Sequence, residues 1–313
     1  MGVDETPTGA TGFQSGLNDS PERRVIIDAK TFYRFSAPSN IVMLALLVLP
    51  LMLAAWFGLH FMTFSNITHP DYVGLDNFRT VLTDPRFWAA LRWTLVIIAV
   101  TVPTSMLLGF IMALLVDQLT GLLRSILVAA YLLPMVIVPV IGSVVFRKLV
   151  EPGGIIAWLY RSMFDEALVF TETSMKAIIL VHTIWLIAPF SFIIFFAGLQ
   201  TLPQDLSEAA SIDGTNRWQH IRYVILPHLR TLIVLTSLIN VMDMFRLFDN
   251  VFVLTGQNPV YKADTVMTYD YRTALDQKLL GLGNAMAILT VVAILIVLIP
   301  FLYFTYREQT EER

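Results

Sequence analysis

The sequence has no cysteine, which removes disulfides, thiol nucleophiles and thiolate metal sites from consideration. Charged residues are also scarce: they make up 14% of a chain in which 56% of the residues are hydrophobic. A soluble domain of this size carries about 25% charged residues. The net charge of −3 is too small to indicate nucleic acid or an anionic membrane as a partner. This composition argues against a soluble domain and for a membrane protein.

Several chemical signatures are missing as well. The chain has no G-x-x-x-x-G-K-[ST] loop, so we expect it to hold no ATP phosphates itself and to bind no cofactor. It also lacks H-E-x-x-H, G-x-S-x-G and zinc-ligand spacings, so we predict neither catalytic residues nor a metal site. A cleaved signal peptide is not expected, because the first apolar run begins near Ile41 and is too long for one. The chain is therefore predicted not to be an enzyme.

Six apolar segments of roughly 20 residues are long enough to cross a bilayer as helices. Helices are expected because they satisfy their own backbone hydrogen bonds where lipid offers no partner. The predicted spans are 41–64, 91–116, 125–146, 177–199, 229–252 and 285–304. The sequence thus predicts an all-α membrane protein with six transmembrane helices. Pro134 and Pro139 in the third span and Pro189 in the fourth predict bends, either as tolerated irregularities or as the walls of a cavity.

The predicted domains are an N-terminal tail (1–36), a six-helix domain (37–306) with a polar loop at 200–228, and a C-terminal tail (307–313). Residues 1–20 are predicted to be disordered, and residues 21–36 fit either an interfacial helix or a disordered basic tail. Four basic residues precede the first span and only Arg79 closely follows it, which favours a cytoplasmic N-terminus. Six spans then place the C-terminus on the same side.

The polar loop has the features of two short helices. One face of the first helix is shared by residues spaced by three and four, namely Leu206, Ala209, Ala210 and Asp213. Gly214 is predicted to end this helix in the left-handed conformation, and Thr215 or Asn216 to cap the second helix. From spacing alone, the two helices fit either the membrane surface or a partner that grips them in the water.

The fifth predicted span carries polar residues at Asn240, Asp243, Arg246, Asp249 and Asn250. A charge at the bilayer centre costs about 2.5–3.5 kcal/mol, so these side chains are expected to face protein or water. Two hypotheses stay open. Arg246, which can reach Asp243 or Asp249, forms an intramembrane ion pair with Asp249 as the favoured partner and holds the bundle together, or the stripe lines a substrate path, for which Asn240 and Asp243 are the better candidates.

The loop then provides a resemblance to a known family. Glu208-Ala209-Ala210, Gly214 and Leu226-Pro227 resemble the EAA loop of the integral-membrane permeases of binding-protein-dependent ABC importers. The family pattern is E-A-A, three residues, G, nine residues, I, one residue, L-P, and the one departure here is Val224 at the isoleucine position. We call residues 200–228 the EAA loop.

Further matches are similar to the sugar-permease branch, such as the maltose permease, and run from about residue 40 to the end. They are GLDNF at 74–78, FRLFDN at 245–250 and YRTA at 271–274, together with the prolines of the third span. The resemblance implies the type I ABC importer permease fold and ATP-driven uptake of a sugar or related polyol. The alternative is an ion-gradient-driven transporter that works through Asp243 or Asp249.

The resemblance also implies roles for individual residues. The EAA loop would be a coupling helix seated in a cleft of an ATPase, with Glu208 paired to a basic group, Ala209 and Ala210 closely packed, Asp213 beside them, and Gly214 permitting the turn. Phe190 aligns with an aromatic residue that contacts sugar in maltose-type permeases, and Trp185 is a weaker candidate for the path.

The partners implied by the resemblance are a second permease that forms a heterodimer, two ATPases that hold ATP and Mg, and an extracytoplasmic solute-binding protein. The implied location is the inner membrane of a bacterium or archaeon. No nucleic acid partner is expected.

Overall fold

The computed structural model describes residues 2, 29–167 and 169–311. The predicted disorder of residues 1–20 and the beginning of the 21–36 segment fall outside this described part. By packing, the chain divides into residues 1–50 and residues 51–313. In the first unit, the described chain is helical from Ala29 onward.

Helices dominate the described residues. The long helices are α1 (Ala29–Gly58), α3 (Pro85–Asp117), α7 (Glu172–Gln200) and α14 (Leu280–Glu311). The shorter helices are α2 (Asp76–Thr83), α4 (Gly121–Val136), α5 (Pro139–Val150), α6 (Ile155–Phe164), α8 (Gln204–Ile212), α9 (Arg217–His220), α10 (Leu226–His228), α11 (Arg230–Phe245), α12 (Asp249–Thr255) and α13 (Val266–Tyr271). Two π-helical turns lie at Ile221–Ile225 and Arg272–Asp276, and a 3-10 turn lies at Pro259–Tyr261. Strands β1 (His60–Phe61) and β2 (Asp71–Tyr72) form an antiparallel pair.

Four of the described helices are individually long and apolar enough to cross a membrane. The four are Ser36–Gly58, Pro85–Asp117, Glu172–Gln200 and Leu280–Pro300. The number rises to six if each of two bent pairs counts as one span, namely Gly121–Val136 with Pro139–Phe164 and Arg217–His228 with Arg230–Phe245. All six predicted segments are therefore represented. The third and fifth, however, were predicted as single helices, and the structure breaks both of them.

The third span breaks between Val136 and Pro139, and the two parts meet at an angle of 99°. Pro139 occupies the first turn of α5, where its missing N–H costs nothing, while the residues before it are extended because proline disfavours helix at the preceding position. The predicted bend is confirmed here. At Pro189, by contrast, α7 continues as an uninterrupted helix.

The fifth span breaks without a proline. Helix α11 ends at Phe245 and α12 begins at Asp249, so the predicted end at residue 252 was wrong. The first span also ends early, at Gly58 and not at residue 64. There the side chain of Asn77 donates to the carbonyls of Gly58 and His60, each at 2.9 Å, and satisfies acceptors that the end of the helix leaves open.

Helices α3 and α7 make the most extensive helix contact in the described chain. Gly109 of α3 permits it, because a Cβ at this position would lie 2.7 Å from the backbone nitrogen of Phe192 and 2.9 Å from the Cβ of Ser191. Ile97, Ile179 and Phe192 are fully buried around this contact. The hydroxyl groups on α3, such as those of Thr94 and Thr101, bond to carbonyls one turn earlier in the same helix.

Candidate functional site

The first helix of the EAA loop ends in a turn that its own residues close. Gly214 has a φ of 72°, so the predicted left-handed conformation is present. A Cβ there would meet nothing within 4 Å, so glycine is needed for its backbone conformation and not for space. Thr215 donates two hydrogen bonds to the carbonyl of Ala210, from its backbone N–H at 3.1 Å and from its hydroxyl at 2.8 Å.

The second helix begins with a reciprocal cap. The side chain of Asn216 accepts from the backbone N–H of Gln219, and the side chain of Gln219 accepts from the N–H of Asn216, both at 2.8 Å. Of the two predicted capping residues, Asn216 is therefore the cap. These bonds satisfy N–H groups that the start of a helix otherwise leaves open, so the connection between the two helices is well defined.

The second helix runs from Arg217 to His228 through the π-helical turn, which was not predicted. In this turn the N–H of Leu226 bonds to the carbonyl of Ile221, five residues earlier. Pro227 follows in the first turn of α10, before the start of α11, and its ring would clash with the carbonyl four residues earlier in a regular α-helix. The wider turn removes that clash. The complete segment meets α11 at an angle of 68°.

The residues predicted to contact an ATPase do not all face outward. Glu208, Ala209, Asp213 and Gly214 are exposed, whereas Ala210 is only 7% exposed and packs within the chain. Ile212, at 85% exposure, adds an apolar side chain to the outer surface of α8. This helix thus presents acidic and apolar side chains to the outside, while the backbone turn at its C-terminal end is closed within the chain.

On α11, the polar stripe divides between two environments. Asn240 is buried and donates its amide N–H to the hydroxyl of Ser191 on α7, at 3.1 Å. Asp243 and Arg246 lie on the exposed surface, with 3.9 Å between their charged atoms. The predicted ion pair between Arg246 and Asp249 is wrong: within the described chain Arg246 pairs with Asp243, because Asp249 lies beyond the break and starts a new helix.

On α7, the two aromatic candidates for the path lie in different surroundings. Phe190 is partly buried and directly precedes Ser191, so it lies beside the contact with Asn240, whereas Trp185 is half-exposed and lies nearer His182. His182 is fully buried against the ring of Phe146, at a centroid distance of 4.8 Å, and neither ring nitrogen has a partner among the described residues.

Two polar contacts that sequence reasoning missed join the broken spans to each other. The hydroxyl of Ser143 on α5 donates to the side-chain oxygen of Asn250 on α12, at 3.1 Å, and Arg147 donates to the carbonyl of Val253, at 2.9 Å. Asn250 was recognised as a polar residue within a span, but its partner lies 107 positions away in the sequence. The helices that follow the two breaks, α5 and α12, thus pack against one another.

A cavity of about 670 Å³ lies beside the start of α3, lined by Arg86, Lys262, Asp264, Tyr269, Arg272 and Gln277 together with small residues. Arg272 binds Asp264 through two nitrogens, each at 2.9 Å, and the hydroxyl of Tyr269 donates to Asp84. Burial raises the pKa of Tyr269 to about 12, with a further contribution from the hydrogen bond to Asp84. Burial also raises the pKa of nearby Asp270 to about 7, and one of its oxygens has no partner in the described chain.

In the part of the chain that the structure describes, no group of three or more His, Cys, Asp or Glu side chains is arranged to hold a metal ion.

Residues 105–309 match the family model described as "Binding-protein-dependent transport system inner membrane component". The chain is 32% identical over 257 residues to the trehalose transport system permease protein SugA of Mycobacterium tuberculosis, covering 81% of each. It is 30% identical over 282 residues to the trehalose/maltose transport system permease protein MalF of Thermococcus litoralis, covering 88% of this chain and 93% of that protein. These similarities do not favour the ion-gradient alternative.

Solved structures share the fold. A chain in the crystal structure of a bacterial ABC transporter that imports the acidic polysaccharide alginate matches with a TM-score of 0.75 and 21% identity, covering 88% of this chain and 95% of that chain. A second structure, of an alginate ABC transporter with an alginate pentasaccharide-bound periplasmic protein, gives a TM-score of 0.76 at 21% identity.

Proposed function

The chain belongs to the family of binding-protein-dependent transport system inner membrane components, and we propose that it lines part of the translocation path for a sugar or related polyol. As a permease subunit of an ABC importer, it is a multi-pass membrane protein that takes part in transport and is not an enzyme. We further propose that its EAA loop transmits the movement of an ATPase to the spans.

The outer surface of α8 is the observation that carries the coupling proposal. Its turn at Gly214 is closed by hydrogen bonds from Thr215 to Ala210, so movement of the helix can be transmitted through a turn of defined conformation. Its exposed Glu208 and Ile212 have no covering partner in the described chain, although a large exposed apolar side chain next to a carboxylate is typical of protein interfaces. A basic, partly apolar cleft on an ATPase is the complementary surface.

A second permease subunit would cover the exposed charges of α11. Asp243 lies in the last turn of a segment long and apolar enough to be part of a span, and Arg246 directly follows its end. Each charge would cost about 2.5–3.5 kcal/mol at the bilayer centre if it faced lipid. We therefore place a heterodimer partner opposite this face, with a polar path between the two subunits. Phe190 and Trp185 would add aromatic surface to that path, while Asn240 holds α11 against α7.

The remaining partners follow from the same proposal. Two ATPases would hold ATP and Mg, since the chain has no phosphate-binding loop, and a solute-binding protein would deliver the substrate from outside. Both termini would then lie in the cytoplasm with the EAA loop. Relatives named for trehalose and maltose transport support a sugar as substrate.

Co-purification tests the coupling proposal. The tagged chain is expressed with its partners, and the ATPase retained in mild detergent is compared for wild type, Glu208→Lys and the control Gln204→Lys. Both positions are exposed on α8. We expect the ATPase with wild type and the control, and its loss with Glu208→Lys. Equal retention in all three would contradict the role of Glu208, and a wild-type chain that purifies without any ATPase would contradict the proposal itself.

A further inference from the structure

The two helices of the EAA loop carry opposite charge, which the small net charge of the chain conceals. Helix α8 and its cap hold Asp205, Glu208 and Asp213 and no basic residue. The second helix, 217–228, holds two arginines and two histidines and no acidic residue. One protein surface that is complementary to the acidic helix would be basic, so it would repel the second segment. The second segment therefore calls for a different, anionic partner.

The second segment lies at the level where the spans end. Ile225 and Leu229 are buried in one cluster with Val116 and Leu199, which lie in the last turns of α3 and α7. The ring of His228 also lies 3.2 Å from the carbonyl of Gly198, near the end of α7. Because the segment meets α11 at 68°, it runs closer to the plane of the membrane than along the span.

The outward side of this segment has the composition of a membrane-interface helix. Trp218 is 73% exposed and Tyr223 is 68% exposed, and both residue types prefer the headgroup region, where one end of the ring is apolar and the other wet. Arg222 is exposed and forms no ion pair in the described chain. An arginine can lay its apolar stem along lipid while its charged end reaches the headgroups.

We propose that the segment 217–228 rests on the membrane surface and binds anionic phospholipid headgroups through Arg217 and Arg222, with Trp218 and Tyr223 at headgroup level. A basic amphipathic helix beside a span is attracted to anionic lipid in this way. The lipid would fix one helix of the EAA loop in position while the acidic helix stays in the water. The inference rests on the proposed function only for the assignment of α8 to the ATPase.

The absence of cysteine makes a depth measurement direct. Tyr223→Cys is labelled with a nitroxide in the otherwise intact chain, reconstituted in vesicles of equal parts phosphatidylglycerol and phosphatidylcholine. The matched control is Ile212→Cys, because both side chains are apolar or aromatic, strongly exposed and in the same loop. We expect the ratio of oxygen to nickel-complex collision rates to be several-fold higher at position 223 than at 212. Equal, water-like ratios at both positions would overturn the proposal.

The second arm tests the charge. In the Tyr223→Cys background, Arg217→Gln with Arg222→Gln, or vesicles of phosphatidylcholine alone, is expected to shift the label toward water. Arg161→Gln, an exposed arginine on α6, should leave it unchanged. If the depth of the label changes neither in neutral vesicles nor when both arginines are replaced, headgroup binding is contradicted.

Co-purification in detergent separates the lipid proposal from the proposed function. If Arg217→Gln with Arg222→Gln releases the ATPase, the segment binds that protein, and the lipid proposal fails while the proposed function stands. If the wild-type chain brings down no ATPase, the proposed function fails, while the depth of the label still decides the lipid proposal.

Discussion

The α3–α7 contact and the EAA loop solve opposite structural problems. In the first, Gly109 lets two helices approach until a single added carbon has no room, and the surrounding apolar side chains are sealed within the chain. In the second, Gly214 has open space around it, polar groups of the turn are satisfied, and large apolar side chains remain uncovered. The same residue type thus serves tight packing at one site and an unusual backbone conformation at the other.

This difference indicates which substitutions should change the stability of the chain and which should change its function. Changes in the sealed contact should act on the folded chain itself, because its neighbours are all internal. Changes on the open loop should spare the fold and act on complexes with partners. Four predictions, each with its own substitutions, test this separation.

The largest effect is expected from Gly109→Val. Overpacking of a closed contact costs about 1–3 kcal/mol and occasionally more, and here the neighbouring atoms include rigid backbone at 2.7 Å. We expect a loss of about 3 kcal/mol, seen as loss of monodisperse protein in detergent on mild heating. The control is Gly142→Ala on α5, where the added carbon would lie at an ordinary 3.4 Å from its neighbour. Equal melting of the two variants would break the comparison.

Burial of Asp270, on α13, also predicts that the stability of the folded chain depends on pH. Burial raises the pKa of Asp270 to about 7, while its unfolded value is ordinary. The folded state therefore binds the proton more tightly, so stability is greatest below about pH 4 and falls as the pH rises toward about 7. Between pH 5 and pH 8 we expect a decrease of about 2.5 kcal/mol that Asp270→Asn removes, measured by thermal melting at these two pH values. Identical slopes for both proteins count against a buried, unpaired carboxylate.

In the EAA loop, Gly214→Val should weaken retention of the ATPase more than Gly214→Asn does. A β-branched residue in the left-handed conformation costs about 1–2 kcal/mol, whereas asparagine tolerates it. Nothing lies near the added side chain, so melting of the spans should be unchanged in both. Retention of the ATPase should fall for valine and persist for asparagine. If both variants retain the ATPase equally, the left-handed turn is not needed for docking.

The smallest effect concerns two positions on α11 that the sequence treats alike. A double-mutant cycle of Asn240→Ala and Ser191→Ala should give a coupling of about 0.6 kcal/mol, the average for such bonds between membrane helices. Asp243→Asn should leave melting of the isolated chain within about 0.5 kcal/mol, since its partner Arg246 is 3.9 Å away on the surface. A larger effect from Asp243 than from Asn240 would reverse the assignment of the two positions.

Local chemistry predicted the EAA loop well. The left-handed Gly214 and a cap at Thr215 or Asn216 follow from rules that involve only neighbouring residues. The break of the third span was also foreseeable, because two prolines mark it. The orientation of Ala210 was not, since burial depends on what packs against the helix and not on its own spacing.

The fifth span shows where local rules end. No proline or glycine marks the break after Phe245. Beyond it, α12 contacts α5, where Asn250 bonds to Ser143, far away in the sequence. Spacing by three placed Asn240 and Asp243 on one stripe, but only the tertiary structure shows that the first faces α7 and the second faces outward.

The most direct test of the account is the amount of sugar transported per ATP hydrolysed by the reconstituted complex with its binding protein, for wild type and Gly214→Asp. The account predicts that the variant inserts and that its ATPase still turns over, while uptake per ATP falls sharply, because a second carboxylate beside Asp213 disturbs the contact through which movement reaches α11. An unchanged ratio in an intact complex would contradict the central claim that the EAA loop couples hydrolysis to transport.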